Sequence, residues 1–443
     1  GTLASWAVDL VNILAGKFDR PGGLMFSNPI APSMTTLRPP EFAEGWSFGR
    51  WKSRVRGAPE ILGQVPVSCL AEEIAAPGEG QIRALITVAG NPVLSAPDAG
   101  KLDAALPGLD FMVSVDNYLN ETTRHAHVIL PGLSPLEQPH YDELLWCWAV
   151  RNAGKYSPPL FEPDPGRPHE WEILLALSAI LQGQKADEVD TGLLDDLFFA
   201  GLVATLCASP RSSIAGREPG EIVAQSRGKG PERMLDFALR IGPWGEGYGA
   251  RPDGVMFATM EEAPNGIDMG PLEPRIPEVL DTPDGKVDLA PAHVCGDLER
   301  LRARLSRAPE QAVLVSRRHL RSNNSWMHNV PELMTGKDRC TLLVHPGDAE
   351  RWGLVNGEPA RIDSKAGSLT VPAEVSDEMM PGVVSLPHGF GHDKEGTRLS
   401  VAARNAGVCN NLLAPGEFVD VLSGNAAVNG IPVRVTAATQ GAD

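Results

Sequence analysis

Asn91 ends the apolar run Ala84-Leu-Ile-Thr-Val-Ala-Gly-Asn-Pro92, and Asp116 ends a second, Phe111-Met-Val-Ser-Val-Asp116. α/β sheets bind nucleotide-like ligands just beyond the carboxyl ends of their strands, where an amide or a carboxylate can read a base edge or a ribose. Local work is the alternative, with Asn91-Pro92 making a turn and Asp116 capping a helix. The segment Ser316-Arg-Arg-His-Leu-Arg-Ser-Asn-Asn-Ser-Trp-Met-His328 gathers three arginines, two histidines and several hydroxyl and amide donors. Arginine forks with such donors suit a diphosphate or a polar heterocycle, so it reads as an anion-binding loop or as a solvated surface loop.

His388-Gly-Phe-Gly-His392 spaces two histidines with glycines. No third metal ligand lies nearby in sequence, so no metal site is assigned, and the glycines favour a tight loop pressed against a ligand. His125-Ala-His127 alternates along a strand end and reads as structural. His140 and His328 are candidates for a proton role because histidine titrates near neutrality, although either could simply hydrogen-bond. The hydrolase elbow, the zinc-protease helix, the phosphate-binding P-loop and the dinucleotide glycine fingerprint are all missing from the sequence.

The elements that must position these residues follow from composition and pattern. The chain has 443 residues, a formal charge of -17, 42% hydrophobic and 21% charged residues. Its length fits two to four domains at about 150 residues each. An acidic chain without a basic stripe is a poor partner for nucleic acid or anionic lipid. The apolar runs read as too short to span a bilayer, so no membrane span is expected. Six cysteines are scattered singly without a CxxC pair, which argues against a cluster or zinc knuckle here and fits free thiols in a reducing compartment. Glycine (46) and proline (39) are abundant and imply long connections between short elements.

Residues 2 to 15 place Leu3, Trp6, Ala7, Leu10, Ile13 and Leu14 on one helical face. From Phe26 to about Gly63 the chain lacks periodicity and reads as a functional loop or, preferably, a segment packed on further protein. The runs at 84–88, 111–115 and 126–130 predict short parallel strands buried on both faces. Helices are expected at 98–106, 170–181, 193–207, 231–241 and 297–305, with a boundary at Ala308-Pro309. Beyond it, strands at 312–316, 342–345, 360–363, 369–375, 383–386 and 433–436, separated by turns such as Asn356-Gly357 and Ala366-Gly367, have the spacing of a small barrel. The residues alone therefore lead to a nucleotide-like ligand, an α/β domain and a barrel.

Gly90-Asn-Pro followed by Val115-Asp-Asn-Tyr-Leu-Asn-Glu-Thr-Thr-Arg-His-Ala-His-Val-Ile-Leu-Pro131 resembles the signature of molybdopterin oxidoreductases of the dimethyl sulfoxide reductase family. Leu342-Leu-Val-His-Pro-Gly-Asp-Ala-Glu-Arg-Trp-Gly-Leu-Val-Asn-Gly-Glu is similar to the same family's C-terminal dinucleotide-binding domain, and Pro381-Gly-Val-Val, His388 to His392 and Asn410-Asn-Leu-Leu continue it. The resemblance implies an α/β fold: a doubly wound, mostly parallel sheet domain followed by a double-psi β-barrel. The implied spans are 1–60 for the end of a preceding domain, 61–308 for the α/β domain and 309–443 for the barrel.

It also implies two molybdopterin guanine dinucleotides holding molybdenum or tungsten. Asn91, Val115 and Asp116 would bind one guanosine. Ser316, Arg318, His319, Ser325 and His328 would meet pterin or diphosphate, and Phe390 and Asn411 would close on the cofactor. Lys17-Phe-Asp-Arg-Pro-Gly-Gly23 resembles a mid-chain family segment, so the metal ligand and any 4Fe-4S cluster are expected in an N-terminal part preceding Gly1. The implied partners are that part and an electron-transfer subunit. The setting is expected to be cytoplasmic, or periplasmic if a leader has been removed. Two departures stand out: the family's lysine after the Ile-Leu-Pro strand is replaced around Glu137-Gln-Pro-His140, and Asn28-Pro-Ile-Ala-Pro-Ser33 lacks the arginine of formate dehydrogenases. A non-catalytic binding or assembly module that keeps the fold is the alternative reading.

Overall fold

The structure, a computed structural model, describes residues 1–32, 47–210, 212–280, 282, 284–306 and 311–438. Residues 33–46 of the aperiodic N-terminal stretch and the boundary expected at Ala308-Pro309 lie outside the described residues. Contacts divide the chain into two compact units that do not follow linear spans. One gathers Gly1–Thr2, Trp46–Pro131 and Gly296–Asp443, and the other holds Leu3–Gly45 and Gly132–Cys295.

The first unit opens with an antiparallel pair, β1 (Phe48–Lys52) and β2 (Pro59–Ile61), inside the stretch that shows no periodicity in sequence. Then come β3 (Ala84–Val88), β4 (Phe111–Val115) and β5 (Val128–Ile129), parallel and in sequential order. β-Branched and apolar residues favour these strands, and Gly90-Asn91-Pro92 ends β3 by turning into the short helix Pro92–Ser95. The helices Leu70–Ala75 and Ala99–Ala105 help bury one sheet face, where Ile74, Val93, Leu102, Leu106 and Met112 form a core.

The other face departs from the expectation of strands buried on both sides. Ile86, Val88, Phe111 and Val128 are each 39 to 48% exposed. Runs of apolar residues signal parallel strands whether or not a second layer covers them, and among the described residues no reversal of strand order extends this three-stranded sheet.

In the second unit, β6 (His140–Tyr141) pairs with β8 (Tyr156–Ser157), and β7 (Arg151–Gly154) with β9 (Ile267–Pro271), all antiparallel. The opening helix, Thr2–Leu14, has no buried residue despite its apolar face. Helices Glu170–Leu181, Thr191–Ala208, Pro219–Gln225 and Gly230–Ile241 follow, and Phe199, Val203, Ile214, Ile222 and Phe237 form a core among them. Thr191–Ala208 corrects the sequence reading of apolar runs, since by length and composition it could cross a membrane. It nevertheless carries Asp195, buried and paired with Arg233 at 2.5 Å. Such an ion pair on the stripe that packs into the core marks a helix of a folded interior rather than a lipid-facing one.

The barrel belongs to the first unit. β10 (Ala312–Arg317), β11 (Leu342–Val344), β12 (Pro359–Asp363), β13 (Ser368–Val375), β14 (Val383–Pro387) and β15 (Ile431–Ala437) close in the order β10-β14-β11-β13-β12-β15. β10 with β14 and β11 with β13 run parallel, and the remaining neighbours antiparallel. This mixed closure agrees with the double-psi organisation. Leu314, Leu342, Val344, Ile362, Val371, Val384, Leu386 and Val435 point inward and fill it. Between β11 and β12 the helix Pro346–Trp352 starts with proline in its first turn, has the Gly347 N–H held by His345 Nδ1 at 3.1 Å, and stops at Gly353 in the left-handed conformation.

Candidate functional site

Two parallel strand pairs set up the site. The register Val88↔Val115 places the turn at Asn91 beside the loop that begins at Asp116. In the barrel, Arg317↔Pro387 brings the loop after β10 and the His388–His392 loop to one end, where the His388 N–H bonds the Arg317 carbonyl at 3.0 Å. Parallel neighbours have their carboxyl ends on the same side, so each pair delivers two loops together.

A buried chain of side chains joins the two sets of loops. Asn91 Nδ2 donates to Glu121 Oε2 at 2.7 Å, and Thr122 Oγ1 donates to Asn91 Oδ1 at 2.6 Å. The other Glu121 oxygen faces His392 Nδ1 at 2.9 Å, and His392 Nε2 faces His328 Nδ1 at 2.8 Å. Glu121, His392 and His328 are all at most 1% exposed. The His328 ring lies 4.3 Å from that of Phe390. Burial alone would raise the Glu121 carboxyl, but hydrogen bonding and charge from His392, with the bond from Asn91, hold it below the usual range. Burial, reinforced by His392, pushes His328 down to about 4, and an interaction with the Gly389 backbone offsets this only in part. His328 Nε2 itself makes no hydrogen bond of ordinary geometry.

The other expected residues are placed as follows. Asp116 is occupied locally, accepting from the Tyr118 N–H at 2.9 Å and Asn120 Nδ2 at 3.0 Å, and burial still pushes its carboxyl up. Val115 is buried, and its carbonyl accepts from the Ala89 N–H at 2.9 Å. Ser316 Oγ receives a bond from Asn410 Nδ2 at 2.9 Å, whereas Asn411 Nδ2 reaches back to the Leu94 carbonyl at 2.8 Å. His319 is half-buried and lowered by burial and then by Arg317. Arg318 is exposed and Ser325 half-buried at the start of the short turn Trp326–Asn329. Phe390 belongs to the barrel core. His125 and His127 are structural, on Asp103 at 2.7 Å and the Met112 N–H at 3.0 Å. His140 lies in the second unit, exposed, 3.8 Å from Asp142.

Three residues went unrecognised in sequence: Glu121, His392 as a partner of His328, and Asn410. The usable signal was a carboxylate within the Asn120-Glu-Thr-Thr123 motif and an amide pair at 410 and 411. Nε2 of His319 and His328 and Oδ1 of Asn410 are buried without a hydrogen-bond partner. Unsatisfied buried polar atoms cost about 1–3 kcal/mol each, so these three fit a ligand that brings donors and acceptors to the loop ends. Gly389 lets the loop lie flat here, because a Cβ would come within 2.1 Å of the Asn324 carbonyl. Among the described residues no group of three or more His, Cys, Asp or Glu is placed to hold a metal ion.

A parallel sheet and a closed barrel whose loops meet around unsatisfied polar atoms define a binding protein for a large, nucleotide-like cofactor. The chain belongs to the molybdopterin oxidoreductases of the dimethyl sulfoxide reductase family. The family model for molybdopterin oxidoreductase matches residues 2–143, and that for the molybdopterin dinucleotide binding domain matches 312–432. The chain is 25% identical over 315 residues to the assimilatory nitrate reductase catalytic subunit of Bacillus subtilis, covering 70% of this chain and 38% of that protein. It is 33% identical over 301 residues to a catalytic subunit of dimethyl sulfoxide reductase type from Halobacterium salinarum, covering 66% of this chain and 31% of that one. Acetylene hydratase from Pelobacter acetylenicus shares the fold with a TM-score of 0.54 at 17% identity, over 83% of this chain and 46% of that structure. The chain thus spans under half the length of these relatives.

Proposed function

We propose that this chain is the cofactor-binding portion of a bis(molybdopterin guanine dinucleotide) oxidoreductase, with the metal ligand and any iron–sulfur cluster supplied from outside these residues. When bound, the cofactor supplies two-electron redox chemistry at molybdenum or tungsten. The residues of this chain bind and orient it. Asn91, Val115 and Asp116 lie at the carboxyl ends of the parallel strands and suit a guanosine. Ser316, Arg318, His319, Ser325 and His328, with Asn410 and Asn411, suit diphosphate and pterin, and Phe390 backs the His328 ring and excludes water. The observation that carries this reading is the set of unpartnered buried atoms on His319, His328 and Asn410, in the domain that matches a molybdopterin dinucleotide binding model.

The partners of this reading are a further part of the same enzyme, supported by the 31 to 38% of the two curated relatives' length that the chain spans, and an electron-transfer subunit, supported by the names of those relatives as catalytic subunits. A cytoplasmic setting belongs to this reading, and Cys69, Cys207, Cys295, Cys340 and Cys409, which stand unbridged, agree with it. The test is isolation of the polypeptide from its native source, with elemental analysis and measurement of released guanosine monophosphate. Molybdenum or tungsten together with guanosine is the expected result. Native protein with neither would overturn the enzymatic reading and leave a binding or assembly module.

A further inference from the structure

The hydrogen-bond order in the buried chain follows from the protonation of His392. An ionised Glu121 only accepts, so His392 must carry its proton on Nδ1. A neutral His392 then offers a lone pair at Nε2, and His328 must donate to it from Nδ1. In this order the far end of the chain, His328 Nε2, is a lone pair, and that atom is buried without a hydrogen-bond partner, whereas a doubly protonated His392 reverses the order and puts the proton on His328 Nε2. We propose that Glu121, His392 and His328 form a buried proton relay that presents His328 Nε2 as a proton acceptor to an N–H or O–H group of the bound ligand. The ligand's identity rests on the cofactor reading above.

The proton step balances without electron transfer. The ligand's N–H or O–H bond breaks and leaves its electron pair on the ligand, while the new bond forms at His328 Nε2. The His328 Nδ1–H bond breaks and its proton joins His392 Nε2. The positive charge ends on His392, against the Glu121 carboxylate, and never has to rest on His328. That ring is a poor place for charge: it is buried, and His392, His319 and Arg339 repel a proton on it, an interaction with the Gly389 backbone offsetting this only in part. Cys409 lies near Glu121 at the other end, with Lys394 also in range of that thiol. Asn91 and Thr122 hold Glu121 in place. Glu121 and His392 are positioning residues in this scheme, and His328 is the one that touches ligand.

The relay is tested on the full chain, labelled with nitrogen-15 histidine and titrated by two-bond proton–nitrogen correlation NMR, with His328→Gln and His392→Gln for assignment. Near neutral pH, His328 is expected to show a protonated Nδ1 and a bare Nε2. On acidification one step should convert His328 to the opposite tautomer as His392 becomes doubly protonated, and Glu121→Gln should move that step down by about one pH unit or more. Two rings titrating in separate steps, a neutral-pH His328 protonated at Nε2, or a step indifferent to Glu121→Gln would overturn the relay. Should Glu121→Gln fail to fold by circular dichroism, the tautomer exchange in the unaltered chain decides alone. Failure of the guanosine and metal analysis would leave these tautomers untouched, so the two readings fail separately.

Discussion

His328 has a consequence for stability that is separable from any ligand. Its folded value of about 4 lies below the ordinary 6.5, chiefly because burial disfavours the charged ring. The unfolded chain therefore takes up this proton first as pH falls, and the stability that neutral His328 contributes is full above about pH 6.5 and lost as pH drops toward 4. A shift of that size is worth about 3 kcal/mol. Glu121 acts in the same sense lower down, since a depressed carboxyl loses its contribution only below its ordinary range. Urea unfolding at about pH 7 and about pH 5 should show the unaltered chain losing stability, and His328→Gln losing clearly less. Equal losses would remove His328 as the cause. His328 and Asn91 were visible in the sequence because their residue types are scarce at such positions. Glu121 was not, because a carboxylate in a polar loop reads as solvated, and its partner His392 lies 271 residues further along.

At the level of elements, the carboxyl ends of β10 and β14 carry the site, and two groups hold them. Gly389 adopts φ of +91° against the Asn324 carbonyl. Gly389→Ala must move one loop or the other, with an expected cost above about 2 kcal/mol. Loss of the coupling between the His328 and His392 rings in the NMR titration should accompany it, and an unchanged melting temperature would show that the loop has slack. Arg317 binds the Ser385 carbonyl at 2.6 Å and the Thr341 carbonyl at 2.8 Å, tying three segments of the barrel end. Lysine cannot span both acceptors with one planar fork. Arg317→Lys is expected to cost about 2–3 kcal/mol in urea unfolding, and a cost within about 0.5 kcal/mol would mean the other contacts suffice. The strands themselves were largely legible: alternation in Ser368–Val375 and the short apolar runs flanked by glycine and proline place all six barrel strands within a residue or two. The strand order and the parallel pairs within the barrel were not, since periodicity reports which face of a strand is buried and is silent on its neighbour.

The same limit explains the sheet. Ala84-Leu-Ile-Thr-Val88 has the composition of a strand covered on both sides, yet Ile86 and Val88 stand open together with Phe111 and Val128. A parallel sheet ordinarily carries a layer on each face, and contiguous apolar surface of this kind drives association when left uncovered. The face bears on the site because Val88 and Val115 set the register of the loops that hold Asn91 and Asp116. A cover would stiffen those loops without touching them. Ile86→Thr combined with Val88→Thr keeps β-branching and removes apolar area, so the chain's own stability should change by no more than about 0.5 kcal/mol per site. Self-association, read by sedimentation velocity across a concentration series, should fall at the same time. A large loss of stability would mean that the face is covered in solution by the chain itself. Unchanged association with unchanged stability would assign the stickiness to other exposed apolar residues, such as Trp148 and Val150 of the second unit.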